Sequence, residues 1–181
     1  MPSPLREFAV SVYSTTGVPD ACLQLQDRRG VDVNLFLLAA FLGAAQGCAT
    51  AETTLAEARR IIEPWHREVI VALRTVRRRL KSGPYPAPSP ASGLLRKQVA
   101  DAELEAEFIE LDCLSLLCEA PTQELGFDER RRFATSAMRS LLDEIAQPLD
   151  PADSRAISAI AESSSLVAIQ MAKAQQVSER K

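Results

Sequence analysis

Three glutamates share a spacing that would let one helix present them to a metal ion. Glu103, Glu107 and Glu110 stand at i, i+4 and i+7, so their side chains fall on one helical face. Carboxylate oxygens in that arrangement suit Mg²⁺ or Mn²⁺. One hypothesis is therefore a metal-dependent hydrolase of a phosphorylated substrate, with these residues as ligands. The alternative, which we favour from the sequence, is a solvated or salt-bridged face, since charge runs on helices usually form one.

A second group of polar residues surrounds a glycine between two apolar segments. Gln26, Asp27, Asp32 and Asn34 flank Gly30, at the predicted junction of two helices. Polar groups at such a junction are satisfied by caps, by one another or by a ligand. A capped and cross-bonded turn is the commoner case. These four residues are nevertheless the first candidates for a binding site.

A basic stretch extends from residue 59 to residue 81, with eight basic and two acidic residues. Arg67, Arg74 and Arg78 fall on one face of the predicted helix. They are candidates for contact with a partner or a small anion. RNA binding through Arg74–Lys81 is a weaker alternative, because the stretch lacks the stacking aromatic residues and the chain lacks the basic balance typical of RNA-binding proteins.

The residue inventory excludes several kinds of site. His66 is the only histidine, which removes metal sites that need two imidazoles, and we interpret it as a satisfied residue at the core boundary. The four cysteines have no Cys-x-x-Cys spacing, so reduced thiols are expected in place of a zinc site. The seven glycines form neither a phosphate-binding loop nor a dinucleotide fingerprint. No cofactor is predicted, and the residue inventory favours a protein that is not an enzyme.

The composition is that of a globular protein, with 46% hydrophobic and 25% charged residues. A formal net charge of −3 gives no general attraction to DNA or to acidic membranes. The N-terminus lacks an apolar segment of signal-peptide length, and the longest apolar run, 35–45, is too short to cross a bilayer. We expect a cytoplasmic protein with no membrane span and no DNA partner, and nucleic acid in general is not expected.

Apolar residues recur at spacings of three and four, which predicts an all-α bundle of seven to eight helices. The third helix, capped by Asp32, is apolar nearly throughout and is expected at the centre. Pro64 is expected to open the fifth helix. The alternating prolines of 83–93 predict an extended connector between the fifth and sixth helices.

The predicted sixth helix, 94–119, has a net charge opposite in sign to that of the fifth. It has seven acidic residues and no basic residue between positions 101 and 119. An antiparallel hairpin through the proline connector would place 67–74 beside 103–110. Opposite charges would then set the register of the two helices.

The order and spacing of several segments resemble a known family. These segments are Gln24–Asn34 followed by Leu35-Phe-Leu-Leu, Pro64-Trp-His-Arg-Glu-Val, Leu73–Lys81 and Ala102–Glu107. Together, over about residues 5–119, they resemble a bacterial family of short conserved proteins, mainly from proteobacteria, that is known as a domain of unknown function. The resemblance implies a small helical bacterial protein and carries no activity or catalytic residues.

The sequence predicts a helical core domain over 1–120 and a C-terminal helical hairpin over 121–177, followed by a disordered tail at 178–181. The hairpin is expected to pack on the core or to serve self-association. The leading functional hypothesis is a non-catalytic binding or interaction protein, with a protein partner or a second copy. Its contacts are assigned to the polar junction and the arginine face.

Overall fold

The computed structural model describes residues 2–48, 51–122, 125–143 and 148–179, and its regular elements there are all helical. The predicted all-α bundle is confirmed. The α-helices are α1 (Pro4–Tyr13), α2 (Val18–Arg29), α3 (Val33–Ala44), α4 (Glu52–Trp65), α5 (Val71–Ser82), α6 (Pro90–Leu114), α7 (Phe127–Asp143) and α8 (Pro151–Glu179). None of the helices in these ranges combines the length and hydropathy that a bilayer crossing requires.

Helix α3 is the centre of the fold, as its apolar composition predicts. Eleven of its twelve residues are buried, from Asn34 to Ala44. The side chain of Asp32 caps its N-terminus by accepting hydrogen bonds from the amides of Asn34 and Leu35. Helices α1, α6, α7 and α8 all pack against α3. The position of Asp32 and Asn34 is therefore set by the most buried element of the chain.

Helix α7 packs tightly against α3 at Gly43. A Cβ atom at this position would overlap the backbone of Phe133 and Ala134. Residues of α7 and α8, including Met138 and Ile157, belong to the same hydrophobic cluster as those of α3. The hydrophobic core is thus continuous across residue 120, where the sequence predicts a domain boundary. Helix α8 continues to Glu179, and residues 180 and 181 lie outside the described part of the chain.

Helices α4 and α5 are joined by a π-helical turn, His66–Ile70, so that the chain stays helical from Glu52 to Ser82. The prediction that Pro64 opens a new helix is wrong, because Pro64 lies inside α4. Proline supplies no N–H to the helical ladder. The wider turn follows directly, with the amide of Val71 donating to the His66 carbonyl. A π-helical turn holds more residues than an α-helical turn, so the side chains after Pro64 project in directions that a regular α-helix would not give them.

Helix α6 begins four residues earlier than the sequence predicts. Ser89 and Ser92 form a reciprocal capping box, and Pro90 occupies the first turn. The connector between α5 and α6 is therefore 83–89. Helix α6 ends at Leu114 and is followed by a 3₁₀ turn, Ser115–Leu117. Helices α5 and α6 pack against each other, as their opposite charges predict.

Candidate functional site

A cleft with a volume of about 380 Å³ opens among α1, α2, α3, α5, α6 and the π-helical turn. Helices α1 and α2 contribute mostly apolar side chains to its lining. The π-helical turn and α5 contribute only charged side chains, and α6 contributes both kinds. The charged and amide groups of the lining are Gln26, Asp32, Asn34, His66, Arg74, Arg77, Glu103, Glu107 and Glu110. The apolar side chains include Val10, Tyr13, Leu23, Leu37, Leu104 and Phe108.

Three of these residues, Asp32, His66 and Glu110, form what we call the His66 cluster. The Nδ1 atom of His66 lies 3.0 Å from Oδ2 of Asp32 and 3.3 Å from Oε1 of Glu110. Each residue comes from a different element: the N-cap of α3, the π-helical turn and α6. Trp65 Nε1 donates to the carbonyl of Ala106 at 3.1 Å, which fixes the start of the turn against α6.

The electrostatics of the cluster follow from burial and pairing. Burial lowers the pKa of His66, but hydrogen bonds to Asp32 and Glu110 outweigh it and raise the pKa to about 10. The Glu110 side chain is 0% exposed, and burial raises its pKa against the hydrogen bonds from His66 and Asn34. A carboxylate this buried must be paired or bound to a metal ion. Here Asn34 Nδ2 donates to Glu110 Oε2 at 2.7 Å.

A second set of charges joins α5 to α6. Arg74 donates from Nε to Glu103 Oε1 at 2.9 Å and from Nη2 to Glu107 Oε1 at 2.8 Å. Arg77 also donates to Glu103, at 3.2 Å from Nη2 to Oε1. Burial raises the pKa of Glu103, but the two guanidinium groups outweigh it and hold the pKa below its ordinary value. Burial raises the pKa of Glu107, opposed by Arg74. These pairs fix the register of the two helices and line the cleft as well.

The structure brings together most of the residues singled out in the sequence. Three of the four junction residues, Gln26, Asp32 and Asn34, line the cleft, and Asp32 and Asn34 also make direct contacts there. Asp27 does not line the cleft, and its carboxylate lies 3.4 Å from Arg78. The remaining candidate, Arg67, is exposed, and its guanidinium group lies 3.7 Å from the carboxylate of Glu63 and 2.9 Å from that of Glu68.

The three glutamates line the cleft but do not converge on one point as metal ligands. Glu103 is held by Arg74 and Arg77, and Glu107 is held by Arg74. Among the residues that the structure describes, Glu110 alone of the three meets other donor atoms suited to a metal, those of Asp32 and His66, and the three atoms lie within 4.8 Å of one another. The assignment of all three glutamates as ligands of one metal ion stays a prediction.

Two lining residues, His66 and Arg77, carry no positive signal in the sequence. His66 is a single histidine without a partner at any motif spacing, and Arg77 is one of several consecutive arginines. The available signal is Pro64, two residues before His66, because proline inside a helix predicts a local irregularity. Such irregular turns are frequent at functional sites.

Comparison with known proteins places the chain in a family. The comparison with curated proteins found no match, and neither did the comparison with solved structures. A family model described as "Protein of unknown function (DUF2390)" matches residues 4–114. Every residue that lines the cleft lies within this match, whereas α7 and α8 lie beyond it. The resemblance to a domain of unknown function is thus confirmed, and the chain belongs to the DUF2390 family.

Proposed function

We propose that the protein is a non-catalytic binding protein whose cleft takes a small molecule with a cationic group and an apolar arm. The observation that carries this proposal is the lining of the cleft, which joins apolar side chains from α1 and α2 to a carboxylate-rich region on α6. A concave, mostly apolar site with a few convergent polar groups is the usual form of a small-molecule site.

The apolar side chains that line the cleft are partly exposed to water. Val10, Leu23 and Leu104 line the cleft and are 44%, 45% and 47% exposed. An apolar arm that covered them would remove their surface from water, which stabilises a complex by about 25 cal/mol per Å². Tyr13 and Phe108 add aromatic surface to the same lining. These side chains favour an arm that is apolar or aromatic.

The charged part favours a cation over an anion. Even with His66 counted as a cation, the lining has four carboxylates and three basic groups. Arg74 binds Oε1 of Glu107, and among the described residues no donor is bound to Oε2. An ammonium group at Oε2 would form a charge-assisted hydrogen bond.

The contacts of the arginines give little support to the other hypotheses. Arg67, Arg74 and Arg78 are each paired with an acid of the same chain. A small anion or an RNA phosphate would have to displace those carboxylates. A hydrolase that used Glu103 as a metal ligand would have to separate it from two guanidinium groups, and its release would leave buried charges unpaired.

Three probes with a matched aromatic arm test the proposal by calorimetric titration of the full chain in buffer with a chelator. They are phenethylamine, phenethyl alcohol and phenylacetate. We expect phenethylamine to bind about tenfold more tightly than the other two, a difference of about 1.4 kcal/mol. Binding of phenylacetate as tight as that of phenethylamine, or no binding of any probe at millimolar concentration, would contradict the proposal.

A pair of matched variants locates the preference within the cleft. In Glu107→Gln the preference for phenethylamine over phenethyl alcohol should disappear, because the charged acceptor is removed with little change in shape. Glu105→Gln removes the same charge from an exposed position of α6 outside the lining, and it should leave the preference unchanged. Equal effects of the two substitutions would mean that the preference reflects the general charge of α6.

A further inference from the structure

We propose that Asp32, His66 and Glu110 form a site for a divalent first-row transition metal ion such as Zn²⁺ or Co²⁺. This inference goes beyond the proposed ligand binding and does not depend on it. The three donor atoms are two carboxylate oxygens and one imidazole nitrogen, and they come from three elements that are far apart in the chain.

Two of the three distances between donor atoms match those around a shared ion, and the third, between the oxygens of Asp32 and Glu110, is at most 4.8 Å. With metal–donor bonds of about 2.1 Å, neighbouring donors around one ion lie about 3.0–3.5 Å apart. The distances from His66 Nδ1 to the oxygens of Asp32 and Glu110 are 3.0 and 3.3 Å. When the ion binds, Nδ1 gives up its proton to solvent and its lone pair coordinates the metal. The divalent ion then places two positive charges beside the carboxylates of Asp32 and Glu110, where protonated His66 had placed one.

Each carboxylate is held by its other oxygen, so that the oxygen facing the cluster is oriented. Asp32 Oδ1 accepts the backbone amides of Asn34 and Leu35, at 2.9 and 3.4 Å, while Oδ2 faces His66. Glu110 Oε2 accepts from the Asn34 side chain, while Oε1 faces His66. Hydrogen bonds of this kind fix ligand orientation in protein metal sites.

The cluster is accessible from two sides. Asp32 and His66 line both the cleft of about 380 Å³ and a second cavity of about 240 Å³ that also contacts Arg59 and Glu63. Three protein ligands leave coordination positions open for water or a bound molecule. The imidazole nitrogen favours a transition metal, since Mg²⁺ and Ca²⁺ prefer ligand sets made of oxygen.

The test titrates the metal-free full chain with ZnCl₂ and, separately, with MgCl₂ in a calorimeter. We expect one Zn²⁺ per chain and no comparable binding of Mg²⁺. Glu110→Gln and Asp32→Asn should each weaken Zn²⁺ binding by at least about tenfold. Asp32→Asn keeps the acceptor that caps α3, so it decides the question if Glu110→Gln does not fold, as judged by circular dichroism. Glu105→Gln, which removes an exposed carboxylate from the same helix, is the matched control and should bind as the unchanged chain does.

Free thiols offer a competing site for soft metals, and Co²⁺ distinguishes it. The chain has four free cysteines. Co²⁺ bound at the His66 cluster should show weak visible bands without the intense near-ultraviolet absorption of thiolate ligands. No binding of Zn²⁺ to the unchanged chain, a thiolate spectrum with Co²⁺, or unchanged affinity in the folded Asp32 and Glu110 variants would each overturn the proposal.

Discussion

Replacing Gly43 with alanine is expected to lower the free energy of unfolding by about 3 kcal/mol, because the added methyl group has no room between α3 and α7. The methyl would meet the backbone of Phe133 and Ala134, which cannot turn aside as a flexible side chain can. Chemical denaturation followed by circular dichroism measures the loss. The same overlap would push apart the helix that carries Asn34 and the helix that supports it.

A second glycine supplies the control for this prediction. Gly93 lies inside α6, where a Cβ atom would have nothing within 4 Å. Gly93→Ala should therefore raise the free energy of unfolding by about 0.5 kcal/mol through its helix propensity. If Gly43→Ala were as harmless as Gly93→Ala, then α7 would not pack on α3 at this point, and the continuous core described above would be incorrect.

Replacing Arg130 with methionine is expected to cost about 4 kcal/mol of stability. Arg130 is 1% exposed and donates to the backbone carbonyls of Ala44, Thr122 and Leu125, at 2.5, 2.8 and 3.0 Å. Methionine fills a similar space but leaves these carbonyls without their charged donor, and each buried acceptor left unsatisfied costs about 1–3 kcal/mol. The measurement is again chemical denaturation.

The neighbouring arginine makes the matched comparison. Arg131 is 52% exposed in its side chain and lies 3.5 Å from Asp128. Arg131→Met should change stability by less than about 0.5 kcal/mol, as exposed ion pairs contribute little. Equal losses in the two variants would show that charge on α7, and not the three carbonyl contacts, accounts for the effect of Arg130→Met.

Much of the fold follows from local patterns that tertiary packing does not override. The uninterrupted apolar run of α3 predicts its central place, and the acidic and basic helices predict their own pairing. Arg130 shows where such patterns stop being informative. It is the first of three consecutive arginines, a pattern typical of a solvated face, yet it alone among them is fully buried. The carbonyls that hold it belong to Ala44 at the end of α3 and to Thr122 and Leu125 shortly before α7, and helical periodicity does not predict such contacts.

The candidate site likewise has residues that local sequence patterns predict and a contact that they do not. Asp32 and Asn34 are predictable because polar residues at a helix junction need partners, and Glu110 is predictable from its spacing to Glu103 and Glu107. The meeting of Asp32 with His66 is not predictable, since it depends on how a π-helical turn rotates the chain after Pro64. Sequence spacing describes one element at a time, whereas this cluster joins three.

The proposed binding cleft can be tested directly by nuclear magnetic resonance of the ¹⁵N-labelled full chain during titration with phenethylamine. If phenethylamine binds in the cleft, saturable chemical-shift changes should concentrate in the amides of α1, the first turn of α3 and the part of α6 that includes Leu104 and Phe108. The amides of α7 and α8 should change little. Shifts confined to α7 and α8, shifts scattered over the surface without saturation, or an unchanged spectrum would contradict the proposal.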